Sequence, residues 1–354
     1  MSLSLYVDGD RWRTHMKSVL DSHPGLVPVA KGNGYGFGIA RLARKAAWLG
    51  VDTIAVGVYG EVSAVSPRFG GSILVLTPWR PFEPSAVFGD HLIHTVGRLS
   101  DLAALSARDD RPRVVLERMT SMLRHGFSAR DLREAGDLVS AAPTGPGKGV
   151  VVEGVALHLP MTQGSHLSEV SRLMNDIVAA GLPTNRVYVS HLTDSEIDSL
   201  RTSYPDFELR PRIGTQLWLG DRDALSVKAS VLDAHAVDRG DVLGYRGRTA
   251  PKSGTILVVS GGTSHGIGLE APTGNTGLKA RAATVARGGL DAAGYVRSPF
   301  VIDGKHRLFA EPPHMQASML FLPRGAHVPD VGDEVEVRVR FTATTFDQTV
   351  ISSG

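Results

Sequence analysis

Reactive side chains recur in this sequence where short apolar runs end. Lys31 follows Val27-Pro28-Val29-Ala30, Glu117 closes Arg113 to Glu117, and Arg124 comes soon after in Ser121-Met122-Leu123-Arg124-His125-Gly126. His158 follows Gly154 to Leu157, Ser190-His191 follows Val187 to Val189, and Arg212 lies near the end of Glu208 to Ile213. The lysine is the most telling. After it come Gly32, Gly34, Gly36 and Gly38, alternating with larger residues, and then helical spacing from Gly38 to Leu49. Such glycines let the backbone approach a ligand closely at a helix N-terminus, where phosphate is favoured. A lysine in that place can form a Schiff base with a carbonyl cofactor. Two other glycine-loop chemistries fail on spacing. A dinucleotide fingerprint needs G-x-G-x-x-G, and a phosphate-binding P-loop needs its lysine after the glycines.

The elements that must position these groups alternate between strand and helix. Besides Val27 to Ala30, the candidate strands are Thr53 to Val58, Ser72 to Leu76, His91 to Val96, Arg113 to Glu117, Gly154 to Leu159, Arg186 to His191 and Glu208 to Ile213. Ser128 to Ala141, Ser165 to Ala180 and Asp194 to Tyr204 are amphipathic helices with Ser or Asp at their starts, and Gly181-Leu182-Pro183 stops the second. This predicts an α/β fold: a parallel (β/α)8 TIM-like barrel over residues 8–220, with its chemistry at the C-terminal ends of the strands. From residue 221 to 354 a mostly β domain is expected, with strands at Val227 to Val237, Thr255 to Ser260, Pro299 to Ile302, Arg307 to Ala310, Met315 to Leu322 and Glu334 to Thr342, and one helix at Leu278 to Arg287. Leu3 to Val7 is available to add a strand to it.

Composition narrows the function. The 354 residues suit a barrel and a smaller domain, and 38 basic against 36 acidic residues give a formal charge of +2, with no electrostatic reason to expect a nucleic acid or membrane partner. A small-molecule substrate is the expectation. No cysteine is present, which excludes disulfides, thiolate metal sites and a cysteine nucleophile. His265, His306 and His314 lack metal-ligand spacing, so no metal is expected. Met1 to Asp10 does not resemble a signal peptide and no run reaches transmembrane length, so a cytoplasmic location is expected.

Lys31-Gly32-Asn33-Gly34-Tyr35-Gly36-Phe37-Gly38 resembles the Lys-Ala-Asn-Ala-Tyr-Gly-His-Gly element of the alanine racemase family, with Lys31 and Tyr35 in register. The resemblance implies pyridoxal 5'-phosphate (PLP) on Lys31, with Tyr35 also at the cofactor. Ser121 to Gly126 matches the family's Gly-Met-Asn-Arg-Leu-Gly, which makes Arg124 the arginine that positions the substrate carboxylate and the cofactor's phenolic oxygen. Seven residues earlier, where many members carry a carbamylated lysine, Glu117 supplies a negative charge directly. His158 matches the histidine lying against the pyridine face. Ser195 matches a phosphate-contacting serine, with Ser190 as its rival. Arg212-Ile213-Gly214-Thr215 resembles Arg-x-Gly-Ile, which places Arg212 at the pyridine nitrogen and Gly214 and Thr215 near the phosphate; Arg210 is the rival for Arg212.

Departures from the family pattern fall in the second domain. The family's second acid/base, a tyrosine from the other subunit, has no counterpart in Gly261-Gly262-Thr263-Ser264-His265-Gly266, and His265 is the most plausible substitute. Met315, in Pro312-Pro313-His314-Met315-Gln316, matches the family's substrate-entrance methionine, but Gln316 replaces an aspartate. Val331-Gly332-Asp333-Glu334-Val335 resembles the family's Gly-Asp-x-Val strand, and no Arg-Val-Pro-Arg and tyrosine tail follows it. The implied activity is an amino-acid racemase or epimerase, working as a homodimer with shared active sites, in which Lys31, Arg124 and His265 are catalytic and Arg124 and Met315 bind substrate. A PLP-dependent lyase, aldolase or decarboxylase, or a non-catalytic PLP carrier, is the alternative.

Overall fold

The structure is a computed structural model that describes residues 2–141, 148–161, 164–269 and 296–352. The helix expected at Leu278 to Arg287 lies outside the described residues. Two compact units form, one of Arg13–Gly34 and Gly38–Gly220, the other of Met1–Trp12, Tyr35–Phe37 and Asp221–Gly354.

The first unit is an eight-stranded parallel barrel. Its strands are Val27–Pro28, Thr53–Val56, Ser72–Val75, Leu92–Val96, Arg113–Arg118, Val151–His158, Arg186–Ser190 and Glu208–Ile213. From the third to the eighth, each pairs in parallel with its predecessor. The eighth pairs with the first, Val27 opposite Arg212, and a bridge between Val29 and Ala55 brings the ends of the sheet together. The interior is apolar and shared evenly: Val27, Val29, Ala55, Leu74, Ile93, Val115, Ala156 and Tyr188 form one buried cluster from the first seven strands. The eighth strand differs. Side chains two apart share a face of a strand, so its row holds Arg210 and Arg212, both buried.

The helices of this unit follow apolar spacing. Ile39–Leu49 buries Leu42, Ala43, Ala46 and Leu49 and ends at Gly50 in the left-handed conformation, while Leu167–Ala179 buries Val170, Leu173, Met174 and Ile177. No helix is found between the third and fourth strands. Pro78, Pro81 and Pro84 recur there every third residue, and each removes a backbone donor that a helix would need. The second strand ends at Val56 rather than Val58, because the N–H groups of Gly57 and Val58 turn to the Glu61 carboxylate.

The second unit is a mainly antiparallel β barrel. Leu225–Val237 pairs with both Gly254–Ser260 and Glu334–Val337, and Ala317–Pro323, Lys305–Phe309 and Arg297–Ile302 complete the circuit. Leu3–Asp8 adds to its edge, antiparallel to Leu225–Val237. The strand expected to run to Thr342 stops at Val337, since Arg340 to Ala343 makes a turn. Met315 lies before its expected strand, which starts at Ala317. Several elements have no counterpart in the sequence reading, among them the helix Leu99–Ser106. Gln348–Ser352 lies parallel to Leu3–Asp8, and the helix Gly9–Ser22 buries Trp12, Met16 and Val19. No helix among the described residues is long and apolar enough to cross a membrane.

Candidate active site

At the C-terminal ends of the barrel strands the chain gathers charge around Lys31. Partial burial, then the positive charges of Arg124 and Arg212, lower the Lys31 pKa from its ordinary value, and Glu61 opposes them. The amine is therefore easier to deprotonate than a surface lysine, as a nucleophile or base near neutral pH requires. Its peptide is fixed as well. Gly32 N–H donates to Glu61 Oε1 at 2.6 Å and Gly34 N–H to the Lys31 carbonyl at 3.0 Å.

Arg124 and Glu117 sit on one reversal of the chain. Phe127 N–H donates to the Glu117 carbonyl at 2.7 Å and Met119 N–H to the Phe127 carbonyl at 2.9 Å, so residues 117–127 close back on themselves. Gly126 makes this possible: its φ is +128°, and a Cβ there would lie 2.5 Å from Met119 N and 2.7 Å from the Glu117 oxygen. The loop is tied down by Thr120 Oγ1, which donates to the His158 carbonyl at 2.6 Å, and by Ser121, whose N–H and Oγ both donate to Glu169. Within it, Arg124 Nη2 lies 4.0 Å from Glu117 Oε1. The arginine is half-exposed and the glutamate buried. Burial pushes the Glu117 pKa up, and Arg212 and Arg124 act against that rise.

Arg212 is buried too. Its Nη2 donates to the Leu157 carbonyl at 3.1 Å, while its buried Nε has no hydrogen-bond partner among the described residues. Burial lowers its pKa and Glu117 raises it. Arg210, two residues earlier on the same face, is spoken for: Asp52 takes both its Nη groups, Glu208 takes Nη1 at 3.0 Å, and its guanidinium lies 5.9 Å from the Tyr188 ring centre. Both rivals leave a buried Nε without a partner, but Arg210 has both its Nη groups on carboxylates, whereas Arg212 has only the Leu157 carbonyl; an orphan N–H in a protein interior calls for an acceptor.

His158 completes the group. Burial first, then Arg212, Arg124, His191 and Lys31, drive its pKa down to about 3, so the imidazole is neutral at physiological pH. Ser190 Oγ lies 2.9 Å from His158 Nδ1, and the His191 ring meets the His158 ring edge-on at 5.3 Å. His191 holds a left-handed backbone with φ +63°, an uncommon conformation outside glycine. Ser195, by contrast, is exposed in the first turn of the helix Asp194–Ser203, 3.2 Å from Thr193 Oγ1. The start of that helix already holds a carboxylate, since Glu196 accepts from Thr193 N–H and Oγ1, Ser165 Oγ and His166 N–H. Gly214 precedes the short helix Thr215–Leu219, and Trp218 Nε1 anchors that helix by donating to the Val29 carbonyl at 2.8 Å. Thr215 opens it with its side chain exposed.

Tyr35, His265 and Met315 belong to the second unit. Tyr35 is buried at the centre of the turn Gly34–Gly36 with φ +55°. His265 is also buried, and its ring is engaged at both nitrogens: Gly262 N–H donates to Nδ1 at 3.2 Å, and Nε2 lies 3.1 Å from Asp347 Oδ1. Asp347 in turn accepts from Leu3 N–H at 2.8 Å. Met315 is exposed, and its carbonyl accepts from the N–H and Oγ of Ser264 at 3.0 and 2.6 Å. Close by, the buried Glu311 lies 2.6 Å from His314 Nε2. His306 reaches the Ser298 carbonyl instead.

The sequence reading overlooked Glu61, the Glu311–His314 pair, and a buried contact between Tyr59 OH and His94 Nδ1 at 2.7 Å. Nothing local marks Glu61, whose key partner is a backbone N–H 29 residues away.

The family model described as alanine racemase, N-terminal domain, matches residues 7–196. An alanine racemase of Nitratidesulfovibrio vulgaris is 24% identical over 274 residues, covering 71% of this chain and 72% of that protein. One of Mycolicibacterium vanbaalenii is 27% identical over 281 residues, covering 72% and 70%. Among solved structures, alanine racemase from D-cycloserine-producing Streptomyces lavendulae superposes with a TM-score of 0.71 at 20% identity, covering 100% of this chain and 98% of that one. Alanine racemase from Bartonella henselae, with covalently bound pyridoxal phosphate, gives 0.69 at 18% identity, covering 96% and 91%. These structural likenesses speak for the fold. With more than half of its length matched by the family model, the chain belongs to the alanine racemase family.

Proposed function

We propose that this protein is a PLP-dependent enzyme that moves the α-proton of an amino acid, a racemase or epimerase. The observation that carries the reading is the lysine of lowered pKa set among Arg124, Arg212 and a neutral His158 at the C-terminal ends of the barrel strands. The donor set fits PLP. Lys31 would hold its carbonyl carbon, the orphan Nε of Arg212 offers a buried donor to its ring nitrogen, and the uncharged His158 ring is suited to lie against its face. When bound, PLP supplies a sink for the electrons left at the α-carbon.

The remaining work falls to the chain's own groups. Arg124, beside the buried Glu117, is placed to take a substrate carboxylate. Arg212 keeps its proton, as a guanidinium does, and so is no acid for the ring nitrogen; this disfavours decarboxylation. Lys31 Nζ accepts and returns a proton on one face of the α-carbon. Racemisation needs a second group on the other face, and His265 is the proposed one, a role that requires it to release Gly262 or Asp347.

That requirement favours a second reading. A histidine with both nitrogens satisfied is a poor proton carrier, and a lyase or aldolase, which works on one face, has no need of it. The test is an absorption spectrum of the protein with PLP before and after borohydride, beside Lys31→Ala, followed by incubation of L-amino acids in deuterium oxide. A racemase gives a visible band lost on reduction, no band in the variant, and deuterated D-enantiomer. A product of changed carbon skeleton would establish the lyase. A protein that stays colourless with PLP would overturn both.

A further inference from the structure

Glu61 ends the single turn Tyr59–Glu61 that follows the second barrel strand. Its carboxylate accepts three backbone N–H groups: Gly32 on Oε1 at 2.6 Å, Gly57 on Oε2 at 2.6 Å and Val58 on Oε2 at 3.2 Å. The last two are the work of an ordinary turn cap, which any short acceptor could do. The first is not. Gly32 immediately follows Lys31, so the same carboxylate ties the lysine's own peptide to a loop 29 residues further on. The packing is equally close: a Cβ on Gly57 would lie 3.1 Å from both Lys31 Cβ and Glu61 Oε2. Gly57 is thus the spacer that lets the carboxylate and the lysine stem approach each other.

The charges that face Lys31 come from several strands. Arg124 follows the fifth and Arg212 ends the eighth, and both repel the ammonium; His158 and His191, from the sixth and seventh, have lowered pKa values themselves. Glu117 is engaged with Arg212 and Arg124. Glu61 alone among the described residues acts directly on Lys31 with the opposite sign.

We propose that Glu61 is a positioning residue for Lys31, holding the Lys31–Gly32 peptide in place and setting a carboxylate against the lysine stem. The proposal deepens the reading of Lys31 as the cofactor lysine, and its test does not depend on that reading. Two variants separate charge from reach. Glu61→Gln removes the charge; Glu61→Asp keeps it but, one methylene shorter, cannot span Gly32 and Gly57 together.

The experiment is competitive acetylation of Lys31 across pH in the cofactor-free protein, read by peptide mass spectrometry, with amide hydrogen exchange at Gly32. In E61Q the labelling profile moves to lower pH, so that Lys31 reacts roughly threefold or more faster at a fixed pH below its midpoint, about half a pKa unit. In E61D the profile stays near that of the unaltered protein, while Gly32 exchanges on the order of tenfold faster. A purely structural Glu61 would lower thermal stability and leave the Lys31 profile unmoved, and that result overturns the proposal. If E61Q does not fold, E61D decides, and unchanged protection at Gly32 overturns it. A shifted profile in a protein that takes up no PLP leaves Glu61's role standing and removes the cofactor reading.

Discussion

Arg210 and Arg212 differ by two residues on one strand, and replacing each with methionine should have opposite consequences. Arg210 makes three hydrogen bonds to two carboxylates. Bonds to charged groups contribute about 1.5–3 kcal/mol each, but Asp52 and Glu208 keep 65% and 41% of their side-chain surface in water. Once orphaned they rehydrate, so R210M should cost about 2–4 kcal/mol rather than the full sum. In a unit of this size that corresponds to a fall in Tm of roughly 5–15 °C, with PLP binding retained. Arg212 makes one hydrogen bond among the described residues, to the Leu157 carbonyl, leaves Nε unpaired as Arg210 does, and has no carboxylate on its Nη groups to offset its burial. Replacing such a buried charge with an apolar side chain of similar length is often neutral or stabilising, so R212M should stay within about 1 kcal/mol of the parent at mildly acid pH while weakening PLP binding severely. The sign of the pH dependence is fixed. Glu117 has a raised pKa, and losing Arg212, its main counter-charge, raises it further. A carboxyl with a raised folded pKa stabilises the fold below its unfolded pKa, and that contribution fades as pH climbs through the folded value. R212M should therefore lose stability relative to the parent as pH rises. The assays are urea unfolding of the cofactor-free proteins across pH and titration of PLP absorbance. If R212M at mildly acid pH unfolds as readily as R210M, or if R210M is the variant that loses PLP, the division of labour drawn here is wrong.

Gly126→Ala forces a Cβ against backbone at 2.5 Å in a left-handed conformation; it should cost about 2 kcal/mol or more and weaken substrate binding by displacing Arg124, measured by thermal unfolding and by KM. His94 is buried with its pKa lowered to about 4 by burial. A histidine depressed in the fold stabilises above its unfolded pKa, so the native protein should lose about 1.4 kcal/mol per pH unit from this group as pH falls from about 6.5 towards 4. Urea unfolding of His94→Gln should show a correspondingly flatter acid limb, and an equal slope in parent and variant would refute it.

Much of the barrel was legible because its determinants are local. Alternating apolar runs mark strands whose faces are set by a two-residue period, and spacing such as Leu42, Ala43, Ala46 and Leu49 marks a helix wherever it is placed. The same periodicity, with the rule that barrel chemistry lies at strand C-termini, puts Lys31, Glu117, His158 and Arg212 at one end. Helix Gly9–Ser22 was missed despite its Trp12, Met16 and Val19 stripe, and strand Gln348–Ser352, which is more exposed than buried, carries no strong pattern to detect.

The choices between neighbours were different in kind. The sequence presents Arg210 and Arg212 as equals, and Ser190 and Ser195 as rivals; only the fold shows that Asp52, 158 residues away, occupies Arg210, and that Glu196 already fills the helix start beside Ser195. Likewise His265 reads as a free imidazole until Asp347 is found against it, and Glu61 as an ordinary surface acid until Gly32 N–H is found in its grasp. What the sequence determined by itself was which reactive side chains stand at the strand ends and which elements hold them, because periodicity is written along the chain. What each of those residues is free to do was decided by tertiary structure, because a hydrogen-bonding group is spent or spare according to partners that only folding brings within about 3 Å.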